Sequence, residues 1–236
     1  MATSSYAKAI EALREIVDVV RRNGAESAEL AVAAPASLDQ VDLVERSLSR
    51  PIPEELMEFF LEGTAALNVH WWLERAAGPG LRYFGTSLAG SADISLPDLH
   101  ILLTNWEGWE DTFRDPGGHA GNNLDLSVAD YRRLFPIVSA TNGDMVVYVA
   151  EGEDKGNVVL LDHEGGDFDR AVLGRSLRDF LCSWMVLGCP GPESWELEPL
   201  YDFDEQRLNP DSAIARKWLK AVRTGVRAPG RPRPRL

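Results

Sequence analysis

The stretch from Leu134 to Leu187 reads strand, turn, strand, turn, strand, turn, helix, and that order leaves few folds open. Leu134-Phe135-Pro136-Ile137-Val138 is an apolar run closed by Asn142-Gly143-Asp144, residues that tolerate the positive φ of a tight turn. Met145 to Ala150 and Asn157 to Glu164 are two further runs, joined by the polar, glycine-bearing loop Glu151 to Gly156. Their β-branched content predicts a meander of three antiparallel strands. After Gly165-Gly166, Ser176 can cap a helix whose Leu177, Phe180, Leu181, Trp184 and Leu187 recur at three- and four-residue spacing. That apolar face should lie on the sheet, with Phe180 and Leu181 buried.

This order of features resembles the SUKH superfamily, which joins bacterial immunity proteins to a fungal cell-wall-assembly regulator. The matching pieces are the strand ending near Phe135-Pro136-Ile137, the turn Asn142-Gly143-Asp144, a strand, a valine-rich strand ending in Asp162-His163-Glu164, and the helix Ser176-Leu177-Arg178-Asp179-Phe180-Leu181. Upstream, Leu38 to Gly63 is similar to the family's opening. A short helix carries Val41, Val44, Glu45 and Leu48, and Pro51-Ile52-Pro53-Glu54-Glu55-Leu56 then leads to Phe59-Phe60-Leu61. Where the family has an Asn-Gly pair, this chain has Glu62-Gly63. The resemblance covers about half of the chain, and Asn68 to Tyr131 lies outside it.

The chain has 236 residues, 44% of them hydrophobic, enough to bury one good core. No apolar run approaches the roughly 20 residues needed to span a bilayer. Charged Lys8, Glu11, Arg14 and Glu15 interrupt the first segment, unlike the apolar core of a secretory signal, so a cytoplasmic location is expected. Cys182 and Cys189 fit neither a zinc knuckle nor a redox pair, and Cys182 reads as a small buried hydrophobe. The net charge is −13 and unevenly spread. From Arg216 onward there are eight basic residues and no acidic ones, so residues 1–215 hold 16 basic and 37 acidic side chains, a net of −21. A body this acidic repels nucleic acid and attracts basic partners. The Arg231-Pro232-Arg233-Pro234-Arg235 end has the composition of a disordered, solvated tail.

Residues 5–23 predict a helix with Tyr6, Ile10, Leu13, Val17 and Val20 on one face. Ala25 to Ala36 is a short strand or a linker, Asn68 to Glu74 a strand, Ala76 to Gly80 a turn, and Pro97 to Asp115 helical at first. Asp115 to Asn123 is a glycine-rich loop. Asn209-Pro210-Asp211 carries the signals of a helix start, with Ile214, Trp218, Leu219 and Val222 as the apolar stripe beyond it.

The chemistry-bearing residues form no catalytic motif. His70, His100, His119 and His163 stand in no HEXXH or HxH arrangement, and each reads more simply as a solvated or packed histidine. Strand alternation would put His163 on the face opposite Asp162 and Glu164, against a local triad. Gly85-Thr86-Ser87-Leu88-Ala89-Gly90 lacks the spacing of a nucleophile elbow, and Gly117-Gly118 and Gly165-Gly166 precede no Gly-Lys-Ser/Thr. No catalytic residue, metal ligand or cofactor is expected.

What rises above composition is the mixing of acids with aromatics. Trp106-Glu107-Gly108-Trp109-Glu110-Asp111-Thr112-Phe113 and the nearby Asp115 form one such stretch; Glu193-Ser194-Trp195-Glu196-Leu197-Glu198 and Tyr201-Asp202-Phe203-Asp204-Glu205 form others. Large aromatics are usually buried, yet tryptophan ringed by charge also typifies interface hot spots. Alternation in the last two stretches suggests an edge strand, or an ordered tail segment with one acidic side. The candidate partner-binding residues are therefore Trp106, Glu107, Trp109, Glu110, Asp111, Asp115, Trp195 and Glu196, with Glu151, Glu153 and Asp154 from the acidic hairpin loop.

The fold expected is α+β, a mainly antiparallel twisted sheet with helices on one side, with residues 1–200 as one domain and 201–236 as a helical extension with a basic end. The resemblance implies a non-enzymatic immunity protein that neutralises a cognate toxin, often a basic nuclease, by stoichiometric binding. A scaffold or regulator of the same fold is the alternative, and an enzyme of unrecognised class the third.

Overall fold

The meander forms where the apolar runs predict it, and burial on both of its faces explains why those runs are so continuous. The computed structural model describes residues 5–74, 87–114 and 132–224, with residues 74, 87 and 108–114 described by backbone alone. In chain order the elements are α1 (Ser5–Arg22), β1 (Ser27–Val32), α2 (Leu38–Glu45), α3 (Glu54–Glu62), β2 (Ala66–Glu74), β3 (Ser87–Ser95) and α4 (Leu99–Arg114). The meander strands β4 (Leu134–Ser139), β5 (Met145–Val149), β6 (Val158–Leu161) and β7 (Val172–Gly174) follow, then α5 (Leu177–Val186) and the short α6 (Ser194–Leu197). A two-stranded ribbon, β8 (Tyr201–Asp202) and β9 (Arg207–Leu208), precedes α7 (Ala213–Thr224). The result is a mixed α+β fold in which all the described strand pairs are antiparallel.

Strands β4-β5-β6-β7 pair in that order, one short strand more than the three expected. All five residues of β5 are buried. Val146 and Tyr148 face the main core with Phe180 and Leu181 of α5, while Met145, Val147 and Val149 face a second cluster with Trp106 of α4. Helices thus cover both faces of this sheet, a correction to the one-sided packing expected. A register shift between Pro136 and Val138 turns both Ile137 and Val138 toward the main core. Phe180 is fully buried, so Phe180→Ala should cost about 3–5 kcal/mol.

The three-stranded sheet β1-β2-β3 is separate and shows the period of two. Leu67, Val69, Trp71 and Leu73 of β2 are buried, and Asn68, His70 and Trp72 are exposed. Strand β3 escapes sequence reading because six of its nine residues are glycine, serine or alanine, yet its composition has a cause. Gly90 pairs with Trp71, and a Cβ on Gly90 would lie 2.2 Å from the Trp71 indole nitrogen.

Helix α1 buries Tyr6, Ile10, Leu13, Val17 and Val20 as its spacing predicts, and packs on α5. Ser176 caps α5 by accepting from the Asp179 amide at 3.0 Å. Helix α7 shares the same core through Ala215, Trp218, Leu219 and Val222. It starts at Ala213, with the Ser212 hydroxyl accepting from the Ala215 amide at 3.0 Å, later than Asn209-Pro210 suggested. Asn209 instead accepts from the Asp211 amide at 3.0 Å and donates to Asp202 at 3.0 Å, fastening the β8–β9 ribbon to the helix start. The basic end beyond Thr224 and the loop Asp115 to Asn123 lie outside the described residues.

After α5 the chain dives inward, and three indoles satisfy its backbone. Trp218 Nε1 donates to the Leu187 carbonyl at 2.8 Å, Trp71 Nε1 to Gly188 at 2.8 Å and Trp184 Nε1 to Pro190 at 2.6 Å. Buried carbonyls need such partners, and tryptophan supplies an N–H on a large apolar body. Among the described residues no helix is long and apolar enough to cross a membrane.

Candidate protein-binding site

The turn Asn142-Gly143-Asp144 does more than reverse the chain. Gly143 has φ 105°, and the Asn142 side-chain oxygen accepts from the Asp144 amide at 3.0 Å, closing the turn locally. This sets the Asp144 carboxylate inside the protein with no exposed area. Its Oδ1 accepts from the His163 amide at 3.0 Å and from His163 Nδ1 at 2.7 Å. Its Oδ2 accepts from Asn142 Nδ2 at 3.0 Å and from the Ser194 amide at 2.7 Å. Four donors from three segments occupy the four acceptor sites of one carboxylate. Burial alone would push Asp144 up; the hydrogen bonds from His163, Ser194 and Asn142 outweigh it and hold its carboxyl below the ordinary range.

Asp144 thereby fixes the start of α6, and with it an exposed tryptophan. Glu193 accepts from the Thr141 hydroxyl at 3.0 Å and from Trp195 Nε1 at 2.6 Å, so the indole is tied back to the β4–β5 turn. Trp195 nevertheless stays 58% exposed. Acids flank it in sequence, Glu193, Glu196 and Glu198, and Glu193 touches the ring itself; Glu164 stands at His163, which shares the Asp144 carboxylate with Ser194. Burial, with the neighbouring Glu193 charge, raises Glu196 to about 7. His163 is pushed above its ordinary value, chiefly by its hydrogen bond to Asp144, and its Nε2 lies 3.7 Å from Glu164.

The expectation that strand alternation separates His163 from nearby carboxylates is corrected here. Strand β6 ends at Leu161, so His163 sits in the following turn and its ring reaches Asp144 across the hairpin. Asp144, Asp162 and His163 offer ligand atoms within 4.8 Å of one another. A metal that used Asp144 would have to displace bonds already made, because all four acceptor sites of that carboxylate are taken. The trio reads as a structural knot whose outward product is the Trp195 surface.

Only some of the sequence-derived candidates gather at this place. Trp195 and Glu196 do, on a short helical turn; of the two stretches read as an edge strand or an ordered tail segment, Tyr201–Asp202 forms a strand. Trp106 is corrected: it is fully buried, because α4 places Leu99, Leu103 and Trp106 at helical spacing on its inner face. Glu107 is half-buried and accepts from the Ser49 hydroxyl. Trp109, Glu110 and Asp111 lie in the part of α4 described by backbone alone, and Asp115 falls outside the described residues. Glu151, Glu153 and Asp154 are exposed in the β5–β6 loop, at the end of β5 opposite Asp144. Five residues of strand separate the two ends by about 17 Å.

Sequence reading missed Asp144, His163, Glu193 and Thr141. Hairpin register comes within one residue of the first two, since Met145 pairs with Leu161 and so sets Asp144 opposite Asp162, the chain neighbour of His163. Neither a scan for family signatures nor a comparison with curated proteins finds a match for this chain.

Proposed function

We propose that this chain is an immunity protein of SUKH-like fold that binds a basic toxin domain and neutralises it stoichiometrically. The observation that carries the reading is Trp195, an exposed indole held in place by Glu193 and the Asp144 network and flanked in sequence by Glu193, Glu196 and Glu198. A preorganised aromatic anchor loses little conformational freedom on binding, and tryptophan is among the residues that dominate interface energetics. The acids around it steer a positive partner and set its orientation. A nuclease whose nucleic-acid cleft is basic has the matching chemistry, and the acidic body of the chain accords with it. The strand and turn order of residues 134–187, with the Leu38 to Gly63 opening, supports the family.

The test is affinity isolation from the native cell, followed by kinetics with the recovered partner across a salt series. A basic protein should be held in fixed stoichiometry, associating more slowly as the screening length shrinks to roughly 8 Å near physiological ionic strength. Trp195→Ala should mainly speed dissociation, and charge reversal at Glu198, which is exposed and outside the bonds that hold the indole, should mainly slow association. An acidic partner, or an association rate indifferent to salt, would sink the mechanism. Glu196 adds an independent signature: a cation placed beside it lowers its pKa from about 7, so complex formation at neutral pH should release protons, measurable by calorimetry in buffers of different ionisation enthalpy.

A further inference from the structure

We propose that the groove where the two larger sheets meet receives one basic side chain of the partner, a guanidinium or ammonium on an apolar stem. The proposal rests on the binding reading above and names a second contact for it. The groove encloses about 280 Å³, just under the usual range of small-molecule sites and ample for a single long side chain. Its floor is the main core showing through, since Leu56, Ile94, Leu99 and Ile137 line it and are otherwise buried. Ile101, 49% exposed, extends the apolar wall along α4. An alkyl stem would cover this surface.

The rim supplies the charge. Asp93 at the end of β3 and Asp98 before α4 both line the groove and are exposed, and neither has an ion-pair partner among the described residues. Ser95 donates to Asp98 Oδ2 at 2.7 Å, which orients that carboxylate. Apolar floor and acidic mouth together are the complement of arginine or lysine, whose heads stay at the polar edge while their stems bury.

Position ties the groove to the Trp195 surface. Ser139 of β4 lines the groove, and Thr141, two residues on, bonds Glu193 beside Trp195. Two residues of extended chain span about 7 Å, so one partner face can reach both.

The probe is butylguanidinium, with N-butylurea as its neutral counterpart, titrated into the full chain at constant ionic strength while backbone amide resonances are followed. Saturable shifts confined to residues 93–105 and 137–139 are expected with the cation and not with the urea. Asp93→Asn/Asp98→Asn, at exposed sites, should weaken binding about tenfold without changing the rest of the spectrum. Equal response to the urea, unsaturable shifts spread over the acidic surface, or unchanged affinity in the double variant would overturn the groove. Trp195→Ala should leave this titration intact while weakening capture of a basic partner. A partner captured through Trp195 by a chain whose groove ignores the cation refutes the groove alone; a saturable groove in a chain that binds no basic protein refutes the function it serves.

Discussion

Two buried seams join distant segments of this chain, and they use opposite chemistry. At residues 187–190 three neutral indoles donate to three carbonyls, drawing β2, α5 and α7 onto one loop. At Asp144 one carboxylate collects four N–H donors from the β4–β5 turn, the end of β6 and the start of α6. The neutral seam lies wholly inside, and none of its three bonds involves a titratable group. The charged seam opens outward, through His163, which keeps a quarter of its side chain exposed, and through Trp195 beyond it. The fold is fastened at the first, and a surface is composed at the second.

The largest expected effect breaks the charged seam. Asp144→Ala strips acceptors from the His163 and Ser194 amides together and should destabilise by about 3–5 kcal/mol in urea unfolding, as loss of a buried network does. A cost below 1 kcal/mol would show that water replaces the carboxylate without penalty. Trp184→Phe or Trp218→Phe keeps an aromatic ring but orphans one carbonyl, and should cost about 1–3 kcal/mol.

Titration separates the seams next. His163 has a folded pKa above its ordinary 6.5, so its contribution is complete below that value and is lost as pH rises through the folded one. Asp144 has a folded pKa below its ordinary 3.8, so its contribution is complete above that value and is lost as pH falls through the folded one. The deficit of His163→Gln should therefore shrink as pH rises through the raised folded value of His163, whereas the deficit of Trp184→Phe should be flat across the same range. Glu196 works against the fold when ionised, because its pKa is raised from 4.5 to about 7. Glu196→Gln should be neutral at pH 4 and stabilising at pH 8. The smallest effect on stability belongs to Trp195→Ala, within about 0.5 kcal/mol, since that ring is mostly in water. A larger loss would make Trp195 a structural residue and weaken the binding reading.

Much of the architecture is legible because hydrophobic period is a local signal. The continuous runs of β4 and β5 and the three-and-four spacing of α1 and α5 each report a buried face directly. Strand β3 is illegible because its residues were chosen by what lies across from them: Gly90 has no side chain so that Trp71 can lie there. Trp106 misleads for a related reason. Its acidic neighbours suggest an exposed face, but in a helix the residue beside a buried one points elsewhere. The Asp144 site depends on pairings 19 and 50 residues apart, and composition carries no trace of those. Hairpin register brings the first within one residue, at Asp162; the second needs the tertiary path of the chain after α5.

Helix α1 has a consequence for the life of the protein before it is folded. Its apolar stripe finds the largest share of its cover in α5, with β1 and α7 beside it, and about 150 residues separate the end of α1 from the start of α5. At ribosomal speeds of roughly 5–20 residues per second, that stripe would spend on the order of ten to thirty seconds outside the exit tunnel with only β1, β2 and α3 to shield it. During synthesis the helix is thus a natural client for a holding chaperone, and slow decoding upstream of Leu177 would lengthen its exposure. Yield in cells should therefore respond to translation speed and chaperone supply more than the stability of the finished protein would suggest.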